Sequence, residues 1–77
     1  MIDFYIFIDV NEPEANGCFE NLEAAKEFLG EWLDSVELTS DVGVNPCASK
    51  DDHAFLYHVV CSPAELPEML NEILWKL

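Results

Sequence analysis

The chain has no arginine and only three lysines among its 77 residues, against sixteen aspartates and glutamates. Contacts to nucleic-acid phosphates are made mainly by Lys and Arg, so direct binding to DNA or RNA is not expected, nor is adhesion to an anionic membrane surface. There is no run of about 18 apolar residues that would read as a membrane span. With three glycines there is no glycine-rich phosphate loop. Cysteine is scarce and odd in number: Cys18, Cys47 and Cys61 stand at irregular spacing without a Cys-x-x-Cys pair, which argues against a disulfide framework. Met1-Ile2-Asp3-Phe4 carries no basic residue and its apolar run is broken at Asp9, so it does not read as a signal peptide. The expectation is a cytosolic protein with reduced thiols.

What is present is apolar mass and negative charge. The apolar fraction is 51%, which supports a folded chain even at a net charge of −13. Residues 1–77 read as a single small domain. Such a charge predicts basic partners: a nucleic-acid-binding groove, a basic protein or cations.

The charge is most ordered between Glu20 and Glu37. Read as a helix, Leu22, Ala25, Leu29, Trp32, Leu33 and Val36 form one stripe. Glu20, Glu23, Glu27, Glu31, Asp34 and Glu37 form the opposite one, with Phe28 near the boundary and Lys26 the only cation. The acidic ridge would be about 25 Å long with carboxylates about 4.5–6 Å apart, comparable to phosphates along a nucleic-acid strand. Like charges at these steps repel by about 0.2–0.5 kcal/mol per pair. A helix shaped only for stability would alternate Glu with Lys. Two readings account for the ridge: a solvated face of an acidic protein, or a surface that meets a positively charged partner.

The rest of the chain follows in order. Ile2–Val10 alternates as a strand, with Ile2, Phe4, Ile6, Ile8 and Val10 on one face and Asp3, Tyr5, Phe7 and Asp9 on the other. Asn11–Gly17 is a loop, and Cys18-Phe19 a short extension. Asn21 is placed to cap the helix, and Gly30 inside it costs about 1 kcal/mol relative to Ala. Thr39–Asp52 reads as a loop in which Val42 and Val44 form a short edge strand. His53–Cys61 is a second strand, apolar on both faces and therefore central. Ser62-Pro63-Ala64-Glu65 has the pattern of a capping box, although Pro67 requires a restart or a distorted first turn. Beyond it Leu66, Met69, Leu70, Ile73, Leu74 and Leu77 form an inward stripe, Glu68 and Glu72 face out, and Lys76 ends the helix. The fold class is α+β in β-α-β-β-α order: a small antiparallel or mixed sheet of about three strands with both amphipathic helices on one face, leaving an apolar sheet face with Tyr5 and Phe7 or the Phe55 set for an interface.

Candidate chemistry is sparse. Cys47, His53, His58 and Cys61, with Asp51 and Asp52, lack the paired spacing of a zinc site, and His58 and Cys61 point to opposite faces of one strand. Asp41, Asp51 and Asp52 do not have calcium-loop spacing. Cys47 near His53 is the one nucleophile–base pair that can be drawn, in a chain with little room for a substrate pocket. The expectation is a non-enzymatic protein with no catalytic residue, metal or cofactor.

In kind rather than by motif, the whole chain resembles the small acidic proteins that phages make against bacterial nucleases: it looks like an anti-CRISPR protein. That resemblance implies that Glu20, Glu23, Glu27, Glu31, Asp34 and Glu37 mimic DNA phosphates and block the lysine- and arginine-lined DNA channel of a CRISPR effector complex in the cytoplasm of a bacterial host. An alternative of the same kind is an immunity protein against a basic nuclease toxin, similar to the barstar kind. A different class is a small homo-oligomeric structural or assembly protein, in which the charge serves only solubility. The protein is expected as a monomer or homodimer. Whether the loop acids Glu12, Glu14, Asp51 and Asp52 widen the ridge is left open by the sequence.

Overall fold

Alternation of apolar side chains along both faces of Ile2–Asp9 produces strand β1, and the same pattern along Ala54–Cys61 produces β4. In the computed structural model, which describes residues 1–77, these two eight-residue strands pair antiparallel from Ile2↔Cys61 to Asp9↔Ala54 and form the centre of the sheet. Their two-sided apolarity predicts this central position. Two three-residue strands complete an all-antiparallel sheet of order β2-β1-β4-β3: β2, Gly17–Phe19, on the edge beside β1, and β3, Ala48–Lys50, on the edge beside β4. Helix α1 spans Leu22–Asp34 and α2 spans Leu66–Lys76, so the order is β-β-α-β-β-α.

The sheet has four strands where about three were expected. Cys18-Phe19 belongs to β2, and the second edge strand is Ala48–Lys50. Val42 and Val44 do not form it, because Gly43 between them adopts φ +83° and turns the chain. The Gly43 N–H then donates to the His58 carbonyl at 2.8 Å. The β3–β4 hairpin turns through Asp51 (φ 57°) and Asp52 (φ 59°), both in the left-handed region that aspartate tolerates better than most residues.

The helices lie on opposite faces of the sheet, not on one. Phe7 of β1 and Ala54 and Leu56 of β4 pack with Ala25 and Leu33 of α1. Ile8 of β1 and Tyr57, Val59 and Cys61 of β4 pack with Ile73 of α2. Because side chains alternate along a strand, the two sets occupy opposite sides. The result is three layers, α1, sheet and α2, and both faces of the central strands are covered. Tyr5, Phe7 and Phe55 pack against these clusters and do not form a free apolar face. Trp32 of α1 meets the Phe7 ring edge-on, centroids 4.9 Å apart.

The two helices begin differently: a side chain caps α1, and none caps α2. The Asn21 side chain accepts from the Ala24 N–H at 2.9 Å. Of the two options at Pro67, the chain takes the restart: α2 begins at Leu66 with Pro67 in its first turn, where a missing N–H costs nothing. Glu65 reaches back to the Ser62 N–H at 3.2 Å and the Ser62 hydroxyl at 2.7 Å. In α2 the stripe is only half inward. Leu66, Met69 and Ile73 contact the sheet, whereas Leu74 is 61% and Leu77 42% exposed. One helix about 10 Å across cannot cover four strands spaced about 4.8 Å apart, and the outer column of the stripe overhangs the β1–β2 side.

Helix α1 is broken once, at Leu29 (φ −106°, ψ 16°), next to Gly30. A Cβ placed on Gly30 meets nothing within 4 Å, so no close approach requires glycine there. Gly30→Ala is expected to raise stability by about 0.5–1 kcal/mol. A urea-unfolding midpoint that does not rise would mean that the bend itself needs glycine.

Candidate functional site

The acidic ridge is built by α1 and its flanks. The helix ends earlier than the sequence pattern predicts: Glu37 follows the last turn, and Glu20 precedes the capping Asn21. Glu23, Glu27, Glu31 and Asp34 remain on one helical face over about 16 Å, with the bend at Leu29 falling between Glu27 and Glu31. All six acids are exposed. The opposite stripe does what its spacing predicts: Ala25 and Leu33 are buried, and Leu29, Trp32 and Val36 pack against the same cluster. Burial of that stripe fixes which face of α1 points outward, and so orients the carboxylates. Phe28, 79% exposed, stands beside the ridge with its ring 5.7 Å from that of Phe19 on β2.

No lysine neutralises the ridge. The only ion pairs within 4.0 Å involve histidine: His53 Nδ1 with Asp9 at 3.3 Å, and His58 Nε2 with Asp3 at 2.7 Å. Lys50 instead donates to the Ser35 hydroxyl at 3.1 Å. That bond ties the end of α1 to the β3–β4 hairpin, so the Asp51-Asp52 turn sits next to the C-terminal end of the ridge. Glu12 and Glu14 lie in the β1–β2 connection, at the same end of the sheet, since Asp9 pairs with Ala54 and the Val10 N–H bonds the His53 carbonyl. The negative surface thus runs from the α1 face onto one end of the sheet.

Asp9 organises that end. Partial burial pushes its carboxyl pKa up, but the N–H groups of Asn11 and Glu12, at 2.9 and 3.1 Å, and the His53 ring outweigh it and hold the carboxyl below its ordinary value. The Glu65 carboxyl is likewise lowered by its bonds from Ser62. Both groups are more acidic in the folded chain, so the stability they add is present at neutral pH and lost as pH falls through their folded values. The gap in melting temperature between wild type and Asp9→Asn is therefore expected to be constant near neutrality and to close below about pH 4. A gap that persists into stronger acid would assign the loss to geometry and not to charge.

The residues weighed for metal and nucleophilic chemistry are dispersed. Cys47 is 2% exposed on the α1 side and Cys61 is 4% exposed on the α2 side, separated by the sheet. His53 is engaged by Asp9, and His58 stacks on Tyr5 with ring centroids 4.2 Å apart. No three His, Cys, Asp or Glu side chains converge to hold a metal ion. Burial, with a contribution from Asp41, pushes the Cys47 thiol up, away from the reactive thiolate.

Sequence periodicity missed two surface features. A groove of about 330 Å³ opens on the α2 face between Leu74 and the β1–β2 pair, lined by Ile6, Ile8, Gly17 and Cys18, and no charged residue lines it. A shallow concavity of about 460 Å³ lies on the outer face of α2 around Trp75, with Glu68 and Glu72 in its wall. No helix is long and apolar enough to cross a membrane. Comparison with protein-family models, curated proteins and solved structures gives no match for this chain.

Proposed function

We propose that this protein is an inhibitor that presents the α1 ridge to the basic nucleic-acid channel of a bacterial defence complex, in the manner of an anti-CRISPR protein. One observation carries the reading: Glu20, Glu23, Glu27, Glu31, Asp34 and Glu37 are all exposed, and none has a lysine within ion-pair distance. Unpaired carboxylates in a row form an electrostatic template that a row of Lys and Arg side chains neutralises. The field steers encounter, and the body of the protein then occludes the channel. No turnover is required.

The test is capture of partners from bacterial lysate on the tagged protein, eluted by rising salt and identified by mass spectrometry. A nucleic-acid-binding complex released by salt supports the reading, and recovery of nothing but the bait overturns it. With the purified target, the association rate is expected to fall by roughly ten- to a hundredfold between about 0.01 M and about 1 M salt, as the screening length shrinks from about 30 to about 3 Å. A rate that does not change with salt would reduce the ridge to a solvated face.

The uncharged groove beside Leu74, next to the free edge of β2, favours a second reading as a homodimer. Sedimentation separates the two: a dimer that persists at every salt concentration favours self-association through the groove, whereas a monomer leaves the inhibitor reading.

A further inference from the structure

The outer face of α2 carries a feature that the ridge does not use. Trp75 is 89% exposed and shares one shallow concavity with Glu68, Asn71, Glu72 and Lys76. On a helix, residues three, four and seven positions back lie on the same face, and long side chains lean toward the N-terminus. Trp75 therefore shares one face of α2 with Asn71 and Glu72, with Glu68 one turn further on. An exposed indole face bordered by two carboxylates is complementary to one side-chain type above others. Arginine stacks its planar guanidinium on the ring and donates in parallel to a carboxylate, whereas the compact ammonium of lysine does only part of this.

The chain cannot supply that group from itself or from a second copy, because it contains no arginine. Its own Lys76 lines the concavity but pairs with neither glutamate within 4.0 Å. We infer that the Glu68–Glu72–Trp75 face of α2 is a docking site for an arginine side chain of a partner protein. It lies across the sheet from the α1 ridge, so it is a second, separate contact surface. The inference rests on the proposed function only for the partner's being basic.

The experiment is titration of the isotopically labelled protein with a hexa-arginine peptide and, separately, a hexa-lysine peptide, followed by NMR. The Trp75 indole N–H, identified by its loss in Trp75→Phe, is expected to shift and saturate with hexa-arginine at a several-fold lower concentration than with hexa-lysine. Trp75→Ala and Glu72→Gln, both at exposed positions, are expected to weaken hexa-arginine binding at α2 by about three- to tenfold, with Asn71 as the backbone reporter common to both. Simultaneous Glu23→Gln, Glu27→Gln and Glu31→Gln is expected to leave the Trp75 response unchanged. Shifts confined to α1 would overturn the α2 site and leave the ridge standing. Equal response to the two peptides would overturn the arginine assignment. A Trp75 response retained while α1 stays silent would support the α2 site and count against the ridge.

Discussion

A protein in which Glu23, Glu27 and Glu31 are all replaced by lysine is expected to keep its fold and lose the inhibitory activity proposed above. The three positions are exposed and lie on the face of α1 opposite the buried Ala25 and Leu33, so no core contact changes. The net charge goes from −13 to −7. Lysine in the first turn at position 23 opposes the helix dipole at a cost of about 0.3–1 kcal/mol, while the 23–27 and 27–31 pairs stay like-charged with their sign reversed, so their repulsion is unchanged. Circular dichroism and the melting temperature should therefore stay close to wild type. Binding is a different matter, because each reversal turns an attraction to a basic channel into a repulsion, and like-charge contacts across an interface cost several kcal/mol. The neutral variant with glutamine at the same positions should fall between the two. Undiminished inhibition by the folded lysine variant would remove the ridge from the mechanism.

Several of these features were legible in the chain, and several were not, for physical reasons. The α1 ridge could be read because a 3.6-residue period separates acid from apolar side chains over many positions, and Asn21 marked the cap. The central strands could be read because Ile2–Asp9 and Ala54–Cys61 alternate over eight residues each. The edge strands could not, since Gly17-Cys18-Phe19 and Ala48-Ser49-Lys50 are shorter than one reliable alternation. Only the C-terminal end of α1 is shorter than the pattern predicts, because Val36 and Glu37 continue the period after the helical hydrogen bonds stop. The opposite placement of the helices was implicit in the sequence. A strand with Phe7 on one face and Ile8 on the other, paired with one carrying Leu56 and Tyr57, needs cover on both sides. Placing both helices on one face leaves half of those side chains in water. Trp75 was missed because an inward stripe predicts burial on one side of a helix and says nothing about an aromatic on the other.

Removing one buried side chain from the core on each side of the sheet should expose how that arrangement is held. Leu56 is 0% exposed in the central strand β4, paired with Phe7 on one side and Ala48 on the other. Around it Ala25, Ala48 and Ala54 are too small to fill the space that Leu56→Ala would leave. The expected cost is about 2–5 kcal/mol. A 77-residue chain has only about 4–12 kcal/mol in all, and each kcal/mol moves the melting temperature by about 4–8 °C. Leu56→Ala should thus lower it by more than about 10 °C or abolish folding. Ile73, 1% exposed, plays the corresponding part beneath α2, so Ile73→Ala is expected to cost about the same. The pair discriminates between architectures. If both helices shared one face, Tyr57 and Val59 would have no helix over them and truncating Ile73 would not disturb them. In three layers, Ile73→Ala loosens α2 and should shift the amide resonances of Tyr57 and Val59, while those of Phe7 and Leu56 change less. A destabilisation from Leu56→Ala with none from Ile73→Ala would mean that α2 is not seated on the sheet, and the Trp75 face would then have no fixed orientation from which to meet a partner.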